Sequence, residues 1–340
     1  MNVLSLFNGM NTGRQALENV GIKVDKYYSS EIKPYAIELT QYHFPDTIQV
    51  GDVTKWREWD IDLKTIDLVL SGSPCQDLSA AGKRAGINGK KSSLFFVFIE
   101  ILEHIKSLNP NVLFLQENVG SASKLDVGIM SRALGVYPVR INSSLVTAQL
   151  RDRYYWSNIR TRQDGMFGDI VTDIPQPKDR EIFLKNVLDF GYSDKNKSMC
   201  LLESNSRPLK TPHKMAKRYF EIGMSNLIFK DDKTYFRVKE ATKIGFVDVG
   251  ENEAVDLSYP ESETRRGRLM KNKSNCLLRN NEYFVFQDND IRYFSQNELE
   301  KLQGFDAGYT SILSRNQAAC LLGDGWTLPI IEHIFKYIRI

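Results

Sequence analysis

The first 160 residues alternate short apolar runs with segments of helical spacing. Val3–Phe7 reads as a buried strand and Gly9–Gly13 as the loop after it. Arg14–Asn19 follows as a short helix with Ala16 and Leu17 facing inward. A second strand over Val24–Ser30 ends at Glu31, and a helix spans Pro34–Tyr42. Ile66–Leu70 reads as another strand, stopped by Ser71-Gly72-Ser73-Pro74. Ser93–Ile105 is a strongly apolar helix and Asn111–Gln116 one more strand. Such alternation predicts parallel strands joined by right-handed crossovers, with functional loops at the carboxyl ends of the strands.

After about Arg160 the rhythm is lost. Residues 162–265 are richer in charged and turn residues, with short strand-like pieces such as Tyr235–Val238. This predicts a second, smaller domain of β-rich or irregular structure. Three helices follow, over Ser295–Leu302, Ser314–Leu322 and Pro329–Tyr337, and Ser295 with Glu298 has the spacing of a capping box.

Composition narrows the class. The chain has 340 residues, 42% hydrophobic and 26% charged, which suits a globular protein with a sizeable core. The formal net charge of +3 is too small to argue for a polyanionic partner by itself. The four cysteines, Cys75, Cys200, Cys276 and Cys320, form no CxxC pair, so neither structural zinc nor a disulfide framework is expected. With no signal-like start and no membrane-length apolar run, the expectation is a soluble, intracellular protein that binds no metal and no membrane.

Four segments carry candidate chemistry. In Phe7-Asn8-Gly9-Met10-Asn11-Thr12-Gly13, glycines between a strand and a helix let backbone approach a ligand, and the helix start offers free N–H groups. Glu31 at the next strand end is placed to hold ribose hydroxyls, and Asp52 beside Val53 to lie near an adenine ring. Spacing differs from GxGxxG, which disfavours a nicotinamide cofactor. Pro74-Cys75-Gln76 follows an apolar strand, so Cys75 would stand at the sheet edge as a nucleophile once its thiol, normally titrating near about 8.5, is activated. The segment after it, Asp77–Lys91, mixes glycines with Lys83, Arg84, Lys90 and Lys91, as a loop closing on a phosphate backbone would. Glu117, after the apolar run ending at Leu115, is expected among apolar neighbours, where a carboxyl can keep and donate a proton. Gln149, Arg151 and Arg153 would share one side of a strand and converge.

In this order the segments resemble the cytosine-5 DNA methyltransferase family, with its F-x-G-x-G loop, P-C-Q nucleophile, E-N-V acid and Q-x-R-x-R strand. Ser92-Ser93-Leu94-Phe95, Gln303-Gly304-Phe305 and Gly323-Asp324-Gly325-Trp326 look like further elements of it. The resemblance covers residues 1–160 and about 265–340. It implies a Rossmann-like, mostly parallel sheet with helices on both faces. It divides the chain into a catalytic and S-adenosylmethionine-binding domain (1–161), a target-recognition domain (162–265) and a return segment (266–340).

The same resemblance implies methyl transfer from S-adenosylmethionine to carbon 5 of a flipped-out cytosine in duplex DNA, through a covalent Cys75 adduct. Glu117 would hold the cytosine, helped by Arg151 and Arg153. The cofactor residues would be Phe7, Asn8, Gly9, Thr12, Gly13, Glu31, Ile32, Asp52, Val53, Pro74, Leu94, Asp324 and Trp326. Gln76, Ser79, Lys83, Arg84 and Gln149 would touch DNA. A monomer in the cytoplasm of a bacterial or phage-infected cell is implied.

The first loop is looser than the family pattern, and Asp324 stands where many members have asparagine. The late arginine motif is represented only by Arg265-Arg266-Gly267-Arg268 and Ser274-Asn275-Cys276-Leu277. Two alternatives remain: the same chemistry on transfer RNA, and a catalytically silent DNA-binding regulator with this fold.

Overall fold

The apolar runs of the first 160 residues assemble into one seven-stranded sheet in the computed structural model. The structure describes residues 1–74, 93–166, 168–193, 195–202, 228–229, 236–249, 254–255, 264, 266, 269–270, 291–292 and 294–339. The strands are β1 (Asn2–Leu6), β2 (Lys26–Ser30), β3 (Ile48–Gln49), β4 (Leu68–Ser71), β5 (Leu113–Val119), β6 (Val139–Asn142) and β7 (Asp152–Ser157). Their order is β3-β2-β1-β4-β5-β7-β6. The first five are parallel, and β7 runs antiparallel to both β5 and β6. This is the expected Rossmann-like α/β architecture.

Near-continuous apolar strands require cover on both faces. One face, with Val3, Tyr27, Leu68, Leu70 and Leu115, belongs to a cluster shared with Ala16 and Leu17 of α1 (Thr12–Asn19) and with Ala36 and Leu39 of α2 (Pro34–His43). The other, with Leu4, Leu6, Val69 and Phe114, is covered by α3 (Leu94–Leu108) and α4 (Lys124–Leu134). Phe95, Phe98, Ile101, Leu102 and Ile105 form the fully buried stripe of α3 at helical spacing. Each such side chain contributes roughly 1.5–3 kcal/mol.

The chain returns to the first face. After α5 (Gln296–Gln303) and α6 (Arg315–Asp324), α7 (Leu328–Phe335) packs against α1. Asn19 Nδ2 donates to Glu332 Oε1 at 2.6 Å, and the His43 ring stacks on Tyr309 at 4.1 Å. The capping box read from Ser295 and Glu298 is formed, with the Glu298 side chain accepting from Ser295 N at 2.7 Å.

Between these parts the described backbone is antiparallel. β8 (Thr161–Asp164) pairs with β9 (Asp169–Thr172), and 236–239 with 246–249. Residues 228–229 pair with 291–292 and 254–255 with 269–270, so the β pairing runs past residue 265. No described helix is long and apolar enough to cross a membrane.

Two local expectations differ from the structure. Glu117 lies inside β5 and not at its end, because the strand continues to Val119 against β7. Gln149 and Arg151 precede β7, which begins only at Asp152, so strand alternation does not set their directions.

Candidate active site

The strand order reverses between β1 and β4: β2 lies beside β1 on one side and β4 on the other. The loops after β1 and β4 therefore face one crevice, the usual ligand position in such sheets.

The loop after β1 is tightly wound. Phe7, Gly9 and Asn11 all have positive φ (56°, 58° and 64°), and Asn11 occupies the second glycine position of the F-x-G-x-G pattern. Asparagine is among the few residues that enter this region without large strain. Asn11 is the N-cap of α1 but makes no side-chain cap bond. It is fully buried, and neither its Nδ2 nor its Oδ1 has a partner. Thr12 and Gly13 are buried in the first turn, and Gly13 has Leu70 and the Tyr27 hydroxyl where a side chain would begin. Asn8 is tied into the scaffold by Thr40 Oγ1 and the Tyr27 hydroxyl, at 3.3 and 3.2 Å.

Glu31 braces this loop. Its Oε2 accepts from Gly9 N at 2.7 Å, and its Oε1 from Ile32 N and Lys33 N at 2.8 and 2.9 Å. A carboxylate has about four acceptor positions, so the expected hold on a ribose is limited to the capacity these bonds leave. Ile32, beside it, is 70% exposed. Asp52 caps the short helix Val53–Glu58; the bonds from Thr54 N and Oγ1, at 2.9 and 2.8 Å, hold its carboxyl below the usual range. Val53, expected at the ligand, is buried in the opposite-face core.

The loop after β4 is gripped from β5. Gln116 Nε2 donates to Ser73 Oγ at 3.0 Å, and Asn118 Nδ2 reaches the same oxygen at 3.4 Å. Pro74 is half-buried beside this anchor, and Leu94 is half-buried at the start of α3. Cys75, Gln76, Ser79, Lys83 and Arg84 lie outside the described residues, as do Cys276 and the motif around Ser274.

Glu117 was expected among apolar groups, but polar partners hold both its oxygens. Arg153 Nε lies 2.8 Å from Oε1, and Trp326 Nε1 donates to Oε2 at 3.0 Å. Trp326, from the return segment, lies against Gly72 at the end of β4. Two residues earlier, Asp324 pairs with Lys33 Nζ at 2.8 Å.

Arg151 and Gln149, expected at the base and the DNA, make their described polar contacts inside the fold. Arg151 is 2% exposed; Nη1 donates to Leu201 O at 3.0 Å, and Nη2 to Gly323 O and Gly325 O at 3.1 and 2.7 Å. Gln149 is fully buried, donating to Leu302 O and accepting from Leu201 N, so it turns no polar atom toward DNA. Both arginines do converge, but on Cys200: its sulfur is 3.4 Å from Arg151 Nη1 and 3.8 Å from Arg153 Nη2. Burial pushes the Cys200 thiol up, but the two guanidiniums outweigh it and bring the thiol below its ordinary value. Sequence reasoning missed Cys200 because no motif surrounds it. Among the described residues no cluster of His, Cys, Asp and Glu could hold a metal ion.

The sequence model of C-5 cytosine-specific DNA methylases matches residues 1–339. The orphan methyltransferase M.SPRI of Bacillus phage SPR is 33% identical over 175 residues, 47% of this chain and 38% of that protein. The type II methyltransferase M.NgoBV of Neisseria gonorrhoeae is 36% identical over 120 residues, 34% of this chain and 27% of that protein. The chain thus spans well under half the length of these curated relatives. The type II methyltransferase M1.ScrFI of Lactococcus lactis subsp. cremoris matches more broadly, at 25% identity over 98% of this chain and 76% of that protein. Among solved structures, the Entamoeba histolytica methyltransferase EhMeth superposes with a TM-score of 0.57 at 17% identity, covering 99% of this chain and 97% of that one. A Spodoptera frugiperda DNMT2 variant gives a TM-score of 0.53 at 18% identity and covers 99% of both chains. The structural likenesses concern the fold, and the sequence match fixes the family: this chain belongs to the C-5 cytosine-specific DNA methylases.

Proposed function

We propose that the protein transfers a methyl group from S-adenosylmethionine to carbon 5 of a cytosine flipped out of duplex DNA. The observation that carries this reading is Glu117, its carboxylate held by Arg153 and Trp326 one strand away from the loop that leads into Pro74-Cys75.

The β1 loop fits the cofactor. The uncapped N-terminus of α1 and the orphaned amide of buried Asn11 suit a charged, polar ligand portion, while exposed Ile32 offers an apolar surface to a base ring. Phe7, Gly9, Thr12, Gly13, Glu31 and Ile32 would hold it from one side, Pro74 and Leu94 from the other. S-adenosylmethionine supplies an electrophilic methyl group on a sulfonium.

The residues of the chain supply the rest. Carbon 5 of cytosine is a poor nucleophile, so the Cys75 thiolate adds at carbon 6 and raises electron density at carbon 5. Glu117 holds the exocyclic side of the ring, and Arg153 acts through Glu117. Once carbon 5 carries the methyl, transfer of its proton to solvent would expel the Cys75 sulfur as thiolate. Flipping the base costs a few kcal/mol, which contacts from Gln76, Ser79, Lys83 and Arg84 to the backbone would offset. Residues 1–161 would form the catalytic unit, 162–265 the reader of the target sequence, and 266–340 the return segment.

The test is transfer of labelled methyl to unmethylated duplex DNA of mixed sequence and, separately, to transfer RNA. Labelled DNA cytosine supports the reading; label confined to RNA, or no transfer to either, overturns it.

A further inference from the structure

Trp326 was expected at the cofactor, yet its indole N–H points at the acid. We propose that Trp326 is a positioning residue for Glu117, the second of two anchors that fix the plane of its carboxylate. The inference rests on the methyl-transfer reading above.

The last torsion of a glutamate side chain is broad, so one contact leaves the carboxylate free to swing about the bonded oxygen. Here the contacts fall on different oxygens, Arg153 Nε on Oε1 at 2.8 Å and Trp326 Nε1 on Oε2 at 3.0 Å. With both made, the plane is set. Of the roughly four acceptor positions of a carboxylate, about one per oxygen then remains for a base amine.

The indole is itself held in place. On one side, Arg151 Nη2 donates to Gly325 O at 2.7 Å. On the other, the fully buried hydroxyl of Thr327 donates to Gln303 Oε1 and accepts from Ser143 Oγ, both at 2.9 Å. The ring fits only because position 72 is glycine: a Cβ there would lie 2.8 Å from Trp326 Nε1. This gives buried Arg151 a purpose, since it fixes the backbone that aims the indole.

Two variants test the assignment by independent routes. Trp326→Phe keeps an aromatic ring and removes the N–H; Gly72→Ala keeps the N–H and pushes the ring off Glu117. The readouts are kcat and KM for methyl transfer to DNA, the Kd for S-adenosylmethionine by calorimetry, and circular dichroism for folding. Each variant is expected to lower kcat about 10- to 100-fold, the scale of a misplaced catalytic group, with the cofactor Kd unchanged. The double variant should be no slower than Trp326→Phe alone, because the smaller ring leaves room for the added methyl. Wild-type kcat in Trp326→Phe, or a Kd weakened by the factor lost in kcat, overturns the proposal. A wild-type protein that transfers no methyl to DNA instead removes the reading on which it rests, and the two failures are distinct.

Discussion

Arg153 and Glu117 sit on neighbouring antiparallel strands and form an ion pair at 2.8 Å, each side chain only 11% exposed. An ion pair so shielded from water is costly to break one-sidedly, because the remaining charge stays buried. Arg153→Met is expected to lower the unfolding free energy by roughly 3 kcal/mol and to cut methyl transfer about 100-fold. Urea titration and initial rates measure both. Unchanged stability would show that Glu117 does not depend on this partner.

Cys75→Ser should abolish methyl transfer while DNA affinity, measured by mobility shift, stays close to wild type. A serine hydroxyl is far less readily ionised than a thiol and does not add to the ring. The wild type should form a covalent complex with DNA containing 5-fluorocytosine, and the variant none. Full activity in the variant would remove Cys75 as nucleophile.

The Cys200 thiol titrates below its ordinary value beside Arg151 and Arg153. Among the described residues Arg151 has no carboxylate partner, and the Cys200 sulfur lies 3.4 Å from its Nη1. A group whose acid is stronger in the folded state contributes stability that is complete above its unfolded value, near about pH 8.5, and lost as pH falls through the lowered value. The stability gap between wild type and Cys200→Ser should therefore widen toward alkaline pH in denaturant titrations across pH 6–9. A gap independent of pH would mean that the sulfur carries no charge there.

Asn11 tests the first loop. At φ 64° an alanine is strained by about 1–2 kcal/mol, whereas glycine is not. Asn11→Ala should lower Tm and Asn11→Gly should not, by differential scanning calorimetry. The same Asn11→Gly variant should weaken cofactor binding if the orphaned amide faces that ligand. Equal Tm in the two variants would contradict the loop geometry.

Much of the fold was legible because buried parallel strands write themselves as short apolar runs, as at Val3, Leu4, Leu68, Val69 and Leu70. The cap at Ser295 was legible too, since Ser295 and Glu298 act within one turn. What the pattern could not reveal were contacts between distant segments. Nothing near Gln149 or Arg151 announces that their partners are backbone groups around residues 201, 302, 323 and 325. The same holds for Trp326, whose partner Glu117 is 209 positions away. Polar residues in a row looked like a binding edge, yet two of the three serve as internal struts. The Arg153–Glu117 pair is the part of that row that reached the site.

The packing of α7 against α1 joins elements synthesised far apart in time. At about 10 residues per second, a ribosome needs roughly half a minute to pass from one to the other. Throughout that interval the apolar side of α1, and the part of the sheet beneath it, lacks its natural cover. That apolar side stays uncovered until α7 emerges, and Trp326, arriving just before that helix, reaches Glu117 only when the two ends of the fold meet.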